Sequence, residues 1–181
     1  MDNEEILKVL SEAVGTLPVL MERRDLWSSL IVNRRKPWTF RAFANLQSKD
    51  QNFRICLHRF EVCDEQESFL HPHPWPGAFW ILKGSYVMNI GHSFDRVAKP
   101  ESVAKIVLGP GSKYAITSPL TWHSVTPLEE CYTVMVNGEP WDLNTAHREV
   151  RTTKGKDLDS MSADDLSSHF AVFKKLIADL P

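Results

Sequence analysis

The fold and the chemistry of this chain are indicated most clearly by residues 70–86, which read LHPHPWPGAFWILKGSY. Successive side chains of a strand point to opposite faces, so His71 and His73 share one face, with α-carbons about 6.6 Å apart. Two imidazoles at that spacing can bind one cation at about 2.1 Å from each nitrogen. His123, in a later strand-like stretch, can supply a third nitrogen if the fold brings it across. The pattern indicates a mononuclear metal site, although the intervening prolines also suit a loop or an edge strand without metal.

Short β-rich runs and turn signals surround this segment. Lys83-Gly84-Ser85 is predicted as a turn, and Gly109-Pro110-Gly111-Ser112 has the proline second and the glycine third that a type II turn requires. Many short strands with regular turns predict a β-sandwich or barrel over about residues 51–141. The β-rich runs cover residues 53–62, 78–82, 86–90, 103–108, 113–117 and 131–137.

The N-terminal part has helical periodicity instead. An apolar stripe one face wide runs through residues 4–14, and Gly15 is expected to end this helix. A second helix-like segment covers residues 18–32. Residues 1–50 are therefore predicted as a helical segment that belongs to the same single domain, residues 1–181. The first stripe consists of Ile6, Val9 and Leu10.

The C-terminal part, residues 142–181, is predicted as an extension that ends in a helix. Ser162 is the expected N-cap, with the acidic Asp165 three positions on. His147 and His169 are expected to face solvent rather than to serve the site. The apolar stripe of this helix consists of Leu166, Phe170, Phe173 and Leu176.

Composition excludes several classes of protein. A length of 181 residues suits one domain, and 43% hydrophobic with 24% charged residues is typical of a globular protein. The formal net charge of -2, without a basic stripe, argues against nucleic-acid binding. No apolar run approaches the ~20 residues of a membrane span, and the acidic N-terminus is unlike a secretory signal, so a cytoplasmic location is expected. Three widely spaced cysteines, Cys56, Cys63 and Cys131, predict reduced thiols.

Taken in order, His71-x-His73, Gly84, Gly109-Pro110-Gly111 and His123 resemble the two motifs of the cupin superfamily, the RmlC-like jelly rolls. The resemblance covers roughly residues 51–141. It implies a mainly β fold, a double-stranded β-helix that holds one metal in its mouth, with the N- and C-terminal helices flanking the barrel. The amino-acid sequence of residues 57–60, 71–75 and 79–86 is similar to that of a little-characterised cupin group.

Departures from the cupin motifs narrow the resemblance. Gly77 and Ala78 stand where the first motif usually carries a glutamate ligand, and neither can bind metal. Leu120 and Pro127 replace the usual glycine and asparagine of the second motif. The resemblance therefore implies the three-histidine subset, which includes thiol dioxygenases and some ring- or diketone-cleaving dioxygenases.

Three neutral imidazoles suit a divalent transition metal better than calcium or magnesium, which prefer oxygen ligands. Fe(II) is the first expectation, and zinc, nickel or manganese are the alternatives. Three protein ligands leave at least one open position, as a catalytic site requires.

Further residues are candidates for the site. His58 is a possible extra ligand, or else a hydrogen-bonded histidine of the barrel wall, depending on strand register. Arg59 is the candidate anchor for a substrate carboxylate, because guanidinium pairs with it bidentately, or else a surface arginine. Aromatic residues in the same strands are candidates for a substrate-binding wall, or else belong to the core or the rim. They are Trp75, Trp80, Tyr86, Trp122 and Tyr132.

Three functions are consistent with this sequence. The first is a mononuclear non-haem iron dioxygenase that acts on a small molecule. The second is a non-redox isomerase or hydrolase that uses zinc or another metal. The third is a non-catalytic cupin that binds a small ligand or has a structural role. A homodimer is also expected, since exposed strand edges invite pairing.

Overall fold

The computed structural model describes residues 2–47, 52–94, 99–141 and 158–180, which form two antiparallel sheets flanked by two helices. The larger sheet has the strand order β1-β2-β3-β10-β5-β8, and the smaller has the order β4-β9-β6-β7. The elements are α1 (Asn3–Leu20), β1 (Trp27–Val32), β2 (Thr39–Gln47), β3 (Asn52–Phe60), β4 (His71–Pro72), β5 (Gly77–Lys83), β6 (Tyr86–His92), β7 (Ser102–Leu108), β8 (Lys113–Ile116), β9 (Thr121–Pro127), β10 (Cys131–Asn137) and α2 (Ala163–Ala178).

The prediction of a mainly β fold with a helix at each end is confirmed, since ten strands form two antiparallel sheets between α1 and α2 in the described residues. Both predicted turns contain a glycine in the left-handed region: Gly84 has φ +76° and Gly111 has φ +84°. A Cβ at Gly84 would lie 2.5 Å from the carbonyl oxygen of Glu130, so a larger residue would displace backbone. In the second turn, the Ser112 amide donates to the Gly109 carbonyl at 3.0 Å. These turns connect β5 to β6 and β7 to β8.

The N-terminal prediction is wrong in two respects. Helix α1 does not end at Gly15 but continues to Leu20. A glycine inside a helix costs about 1 kcal/mol relative to alanine, and the burial of side chains such as Val14 and Leu17 on both sides of it outweighs this cost. The second helix-like segment is a strand, because Trp27–Val32 pairs along its length with β2.

The sheet therefore begins well before residue 51. Residues 1–50 contain β1 and β2 in addition to α1, and β2 pairs with all of β3 from Thr39↔Phe60 to Gln47↔Asn52. Tertiary pairing overrode the helical periodicity of the isolated segment.

The C-terminal helix begins as predicted. The Ser162 hydroxyl accepts from the Asp165 amide at 3.0 Å, and Phe170 and Phe173 are fully buried. The prediction for His169 is wrong, since only 6% of this residue is exposed. Its Nε2 donates to the Leu57 carbonyl at 3.2 Å, so the ring packs on β3 beside the apolar stripe. His147 lies outside the described residues.

The larger sheet is buried on both faces. Its outer face, which includes Leu57 and Val134, packs with α1 and α2 into the main hydrophobic core. Its inner face, which includes His58 and Thr133, faces the smaller sheet across a cavity. The three cysteines are buried and unpaired, as predicted. Neither described helix is long and apolar enough to cross a membrane.

Candidate metal centre

The structure brings the three predicted histidines together. Strand β4 pairs with β9 so that His71 lies directly opposite His123, and His73 follows immediately after β4. One ring nitrogen from each histidine lies within 4.8 Å of the other two. The Nε2 atoms of His73 and His123 are 2.6 Å apart.

The prolines around His71 and His73 agree with this position. Proline cannot donate to a strand ladder, so it is confined to edge strands and strand ends. Strand β4 is the edge of the smaller sheet and consists only of His71 and Pro72. The loop interpretation and the metal interpretation of this segment are therefore compatible, because a short edge strand presents both histidines.

Burial keeps all three imidazoles in the neutral form that a metal requires. Desolvation lowers the pKa of His71, and it holds the pKa values of His73 and His123 well below the usual value of 6.5. For His73 and His123, the neighbouring histidines lower the pKa further. A neutral imidazole offers a lone pair to a metal at neutral pH, whereas a protonated one offers none.

Hydrogen bonding at His71 agrees with a ligand role. Its Nδ1 lies 3.2 Å from the Phe69 carbonyl oxygen, which can only accept, so Nδ1 carries the proton and Nε2 carries the lone pair. The Nδ1 atoms of His73 and His123 are buried and have no hydrogen-bond partner among the described residues. The Nδ1 atoms of His73 and His123 therefore lack a described partner comparable to the Phe69 carbonyl at His71.

The donor set fits a divalent transition metal. Two bonds of 2.1 Å at a right angle separate their nitrogens by about 3.0 Å, close to the contact between His73 and His123. Two Nε2 atoms at such a distance repel each other unless a proton or a cation lies between them. Three such nitrogens on one side would leave positions open toward the cavity.

His58 lies in the cavity wall rather than in the cluster. Its Nδ1 is 3.5 Å from the Thr133 hydroxyl, and its Nε2 is buried without a described partner. Desolvation holds its pKa well below 6.5, with Arg41 as a further cause. His58 is not part of the three-histidine group, so the structure favours the wall interpretation.

The cluster opens on a cavity of about 550 Å³ between the two sheets. Much of its wall is apolar or aromatic, as expected for a small-molecule site. Three predicted aromatic residues line it: Trp75, Tyr86 and Trp122. The Tyr86 hydroxyl donates to the Tyr114 hydroxyl at 2.8 Å, and burial raises the pKa of both phenols.

The other three predicted substrate residues lie on the outer face of the larger sheet. The Trp80 ring lies 3.6 Å from the Lys113 ammonium, and Tyr132 packs against Phe173 of α2. Arg59 stacks over Phe40 at 3.9 Å and pairs with Glu130 at 3.5 Å. None of the three lines the cavity. The reason is strand alternation: each is the sequence neighbour of an inward-facing residue.

Sequence reasoning missed the arginines of the cavity, which are Arg34, Arg35 and Arg41. Arg41 lies on β2 directly opposite His58. Residues 1–50 are predicted as helical from the sequence, so Arg41 is not placed on a strand that faces the site. A signal for this strand was present. Residues 40, 42, 44 and 46 are apolar, and the residues between them are polar except Phe43, which approximates the period of two of a strand.

No protein-family model and no curated protein matches the chain. Solved structures of similar fold include hydroxypropylphosphonic acid epoxidase from S. wedmorenis, at 12% identity and TM-score 0.44, over 62% of this chain and 56% of that one. They also include KdgF from Halomonas sp., at 13% identity and TM-score 0.43, over 64% of this chain and 89% of that one. The chain thus spans little more than half the length of the epoxidase. This likeness concerns the fold alone.

Proposed function

We propose that this protein is a mononuclear non-haem iron dioxygenase of the three-histidine type that acts on a small molecule. One observation carries the proposal: three neutral imidazoles have nitrogens within 4.8 Å of one another on the wall of a 550 Å³ cavity.

The residues of the site would have three roles: binding the metal, fixing a histidine tautomer and excluding water. His71, His73 and His123 hold the cation, and the Phe69 carbonyl fixes the tautomer of His71. When bound, Fe(II) would supply adjacent open positions for a substrate and dioxygen. Apolar wall residues such as Phe79, Val125 and Met135 exclude water around these positions.

The composition of the wall favours the oxygenase over a zinc hydrolase or isomerase. Hydrolytic and proton-transfer chemistry uses a positioned general base, often a carboxylate. The described residues that line the cavity include no aspartate or glutamate. A non-catalytic cupin would not require three neutral histidines, His71, His73 and His123, to lie together on the wall of a cavity.

Metal analysis tests the proposal first. Protein purified without chelators should carry about one transition-metal ion per chain, and His71→Ala, His73→Ala and His123→Ala should each lower occupancy more than about tenfold. His92→Ala is the matched control, because His92 is an exposed histidine on β6 of the same sheet. Equal occupancy in the wild type and the three triad variants would contradict the metal centre.

Oxygen uptake tests the reaction class. Fe(II)-loaded protein should consume dioxygen with one member of a panel of thiols, diketones and catechols, and the Zn(II)-loaded protein should not. Turnover by the zinc form without dioxygen would assign the site to non-redox chemistry. Occupied metal with no turnover on any panel member would support the binding cupin.

A further inference from the structure

The cavity has a pronounced positive character beyond the proposed metal. Arg34, Arg35 and Arg41 line it together with the histidines, and no described residue of the lining is acidic. Arg34 and Arg35 are exposed, and the Arg35 guanidinium lies 5.1 Å from the ring of Phe69 in the cavity wall. Exposed cations at the entrance of a low-dielectric cleft attract anions.

Arg41 differs from the two exposed arginines. It is half-buried on the inner face of β2, opposite His58. Its Nε is buried, and among the described residues it has no hydrogen-bond partner and no carboxylate paired with it. An unsatisfied buried donor of a charged group costs free energy, so an acceptor that binds beside Arg41 would stabilise this part of the cavity.

Two neutral donors of the lining are in the same condition. The indole N–H groups of Trp75 and Trp122 are buried and lack a hydrogen-bond partner among the described residues. An oxyanion accepts several hydrogen bonds at once, so it would satisfy such donors better than a neutral ligand would.

We propose that the cavity selects a small organic acid, whose carboxylate binds the Arg41 guanidinium and whose apolar part packs against the aromatic wall. A guanidinium binds a carboxylate through two parallel hydrogen bonds, which fixes orientation as well as affinity. The role as substrate rests on the proposed oxygenase function, whereas the anion site itself does not depend on the metal.

Arg59 provides a matched control for Arg41. The two residues are near neighbours across the β2–β3 pair, since Arg41 lies opposite His58. Arg59, however, projects from the outer face, where its guanidinium already has Glu130 at 3.5 Å and Glu61 at 3.9 Å. Removing its charge should leave the cavity unchanged.

The test compares three probes with the same ring: benzoate, benzamide and phenylphosphonate. Calorimetric titration of the full-length, metal-free protein measures affinity, and the Zn(II)-loaded protein is titrated in parallel. Benzoate should bind at least about tenfold more tightly than benzamide to the metal-free protein, as expected for hydrogen bonds to a charged group. Arg41→Met should remove this preference, Arg41→Lys should keep part of it, and Arg59→Met should keep all of it.

The outcomes separate the two proposals. Equal affinity for benzoate and benzamide, no detectable binding of either, or an unchanged preference in a folded Arg41→Met protein would overturn the anion site even if the metal centre stands. A benzoate preference that persists in His123→Ala would support the anion site even if metal analysis fails. Tighter binding of phenylphosphonate than of benzoate would overturn the assignment of a carboxylate in favour of a phosphoryl group.

Discussion

The two faces of the larger sheet differ in role, since one packs into the main core and the other lines the cavity. On the outer face, Leu57, Arg59 and Tyr132 pack against the helices or pair on the surface. On the inner face, their sequence neighbours His58 and Thr133 line the cavity. A shift of one position along a strand therefore separates a residue of the core from a residue of the site.

This difference predicts how substitutions should behave. Outer-face residues stabilise the fold by burying apolar surface under α1 and α2, so their loss should lower the free energy of unfolding. Polar inner-face residues of the cavity wall, such as His58 and Thr133, border space that already exists, so their truncation creates little new void and should act mainly on ligand binding. The face of the sheet to which a side chain points, rather than its position along the chain, should therefore decide whether a substitution lowers stability or ligand affinity.

The largest expected effect is on the outer side. Phe173 of α2 is fully buried and packs against Tyr132, so Phe173→Ala should lower the free energy of unfolding by about 3–5 kcal/mol. The inner-face change Thr133→Ala should cost less than about 1 kcal/mol. Urea denaturation of both variants provides the comparison. Metal loss from still-folded Phe173→Ala would contradict the separation of the two faces.

The next effect concerns acid stability. Burial lowers the pKa of His169 to about 4, from 6.5. The unfolded chain binds a proton at pH values where the folded chain excludes it, so this stability is complete above pH 6.5 and is lost as the pH falls toward 4. The loss is on the order of 3 kcal/mol.

A histidine variant isolates that contribution. His169→Gln keeps a donor for the Leu57 carbonyl but cannot titrate, so its unfolding free energy should fall less than that of the wild type between pH 6.5 and 4. The exposed His92→Gln serves as the control and should follow the wild-type curve. Parallel curves for the wild type and His169→Gln would show that His169 does not contribute.

The His71–His73 pair and the turns of the sheets could be predicted because they depend on local signals, whereas the position of His123 beside that pair follows from the pairing of β4 with β9. The spacing of His71 and His73 is that of any two residues that share one face of a strand. Gly84 and Gly111 indicate turns because glycine adopts the left-handed backbone conformation without strain. These features do not require knowledge of which elements pair.

The face of the sheet to which each side chain points could not be predicted in the same way. All of β10 is buried, from Cys131 to Asn137, so the strand lacks the polar alternation that would distinguish its inner face from its outer face. Residues 55–58 of β3 are buried in the same way, so the sequence indicates Arg59 as the anchor, whereas Arg41 is the arginine of this pair that lines the cavity. The inward position of Arg41 follows from the pairing of β2 with β3.

His58 tests the inner face at closer range. It lies outside the three-histidine group, so His58→Leu should leave metal content at saturating metal unchanged while altering the affinity of cavity ligands such as benzoate. The physical reason is that its ring forms the wall beside Thr133 rather than a coordination bond. Metal content that falls as far as in His123→Ala would instead establish His58 as a fourth ligand.

The smallest expected effect on stability lies at the edge of the other sheet. Strand β7 ends the smaller sheet, and Val103 and Val107 are 72% and 67% exposed there. An exposed apolar edge pairs readily with a second copy, so we expect a homodimer joined through β7. Val107→Glu would add a negative charge to this edge in both copies and should give monomers, while the unfolding free energy of the monomer itself should change by less than about 0.5 kcal/mol. Val19→Glu, at a valine 72% exposed on α1, should leave the dimer intact. Light scattering at micromolar concentrations distinguishes these states, and a monomeric wild type would contradict the pairing.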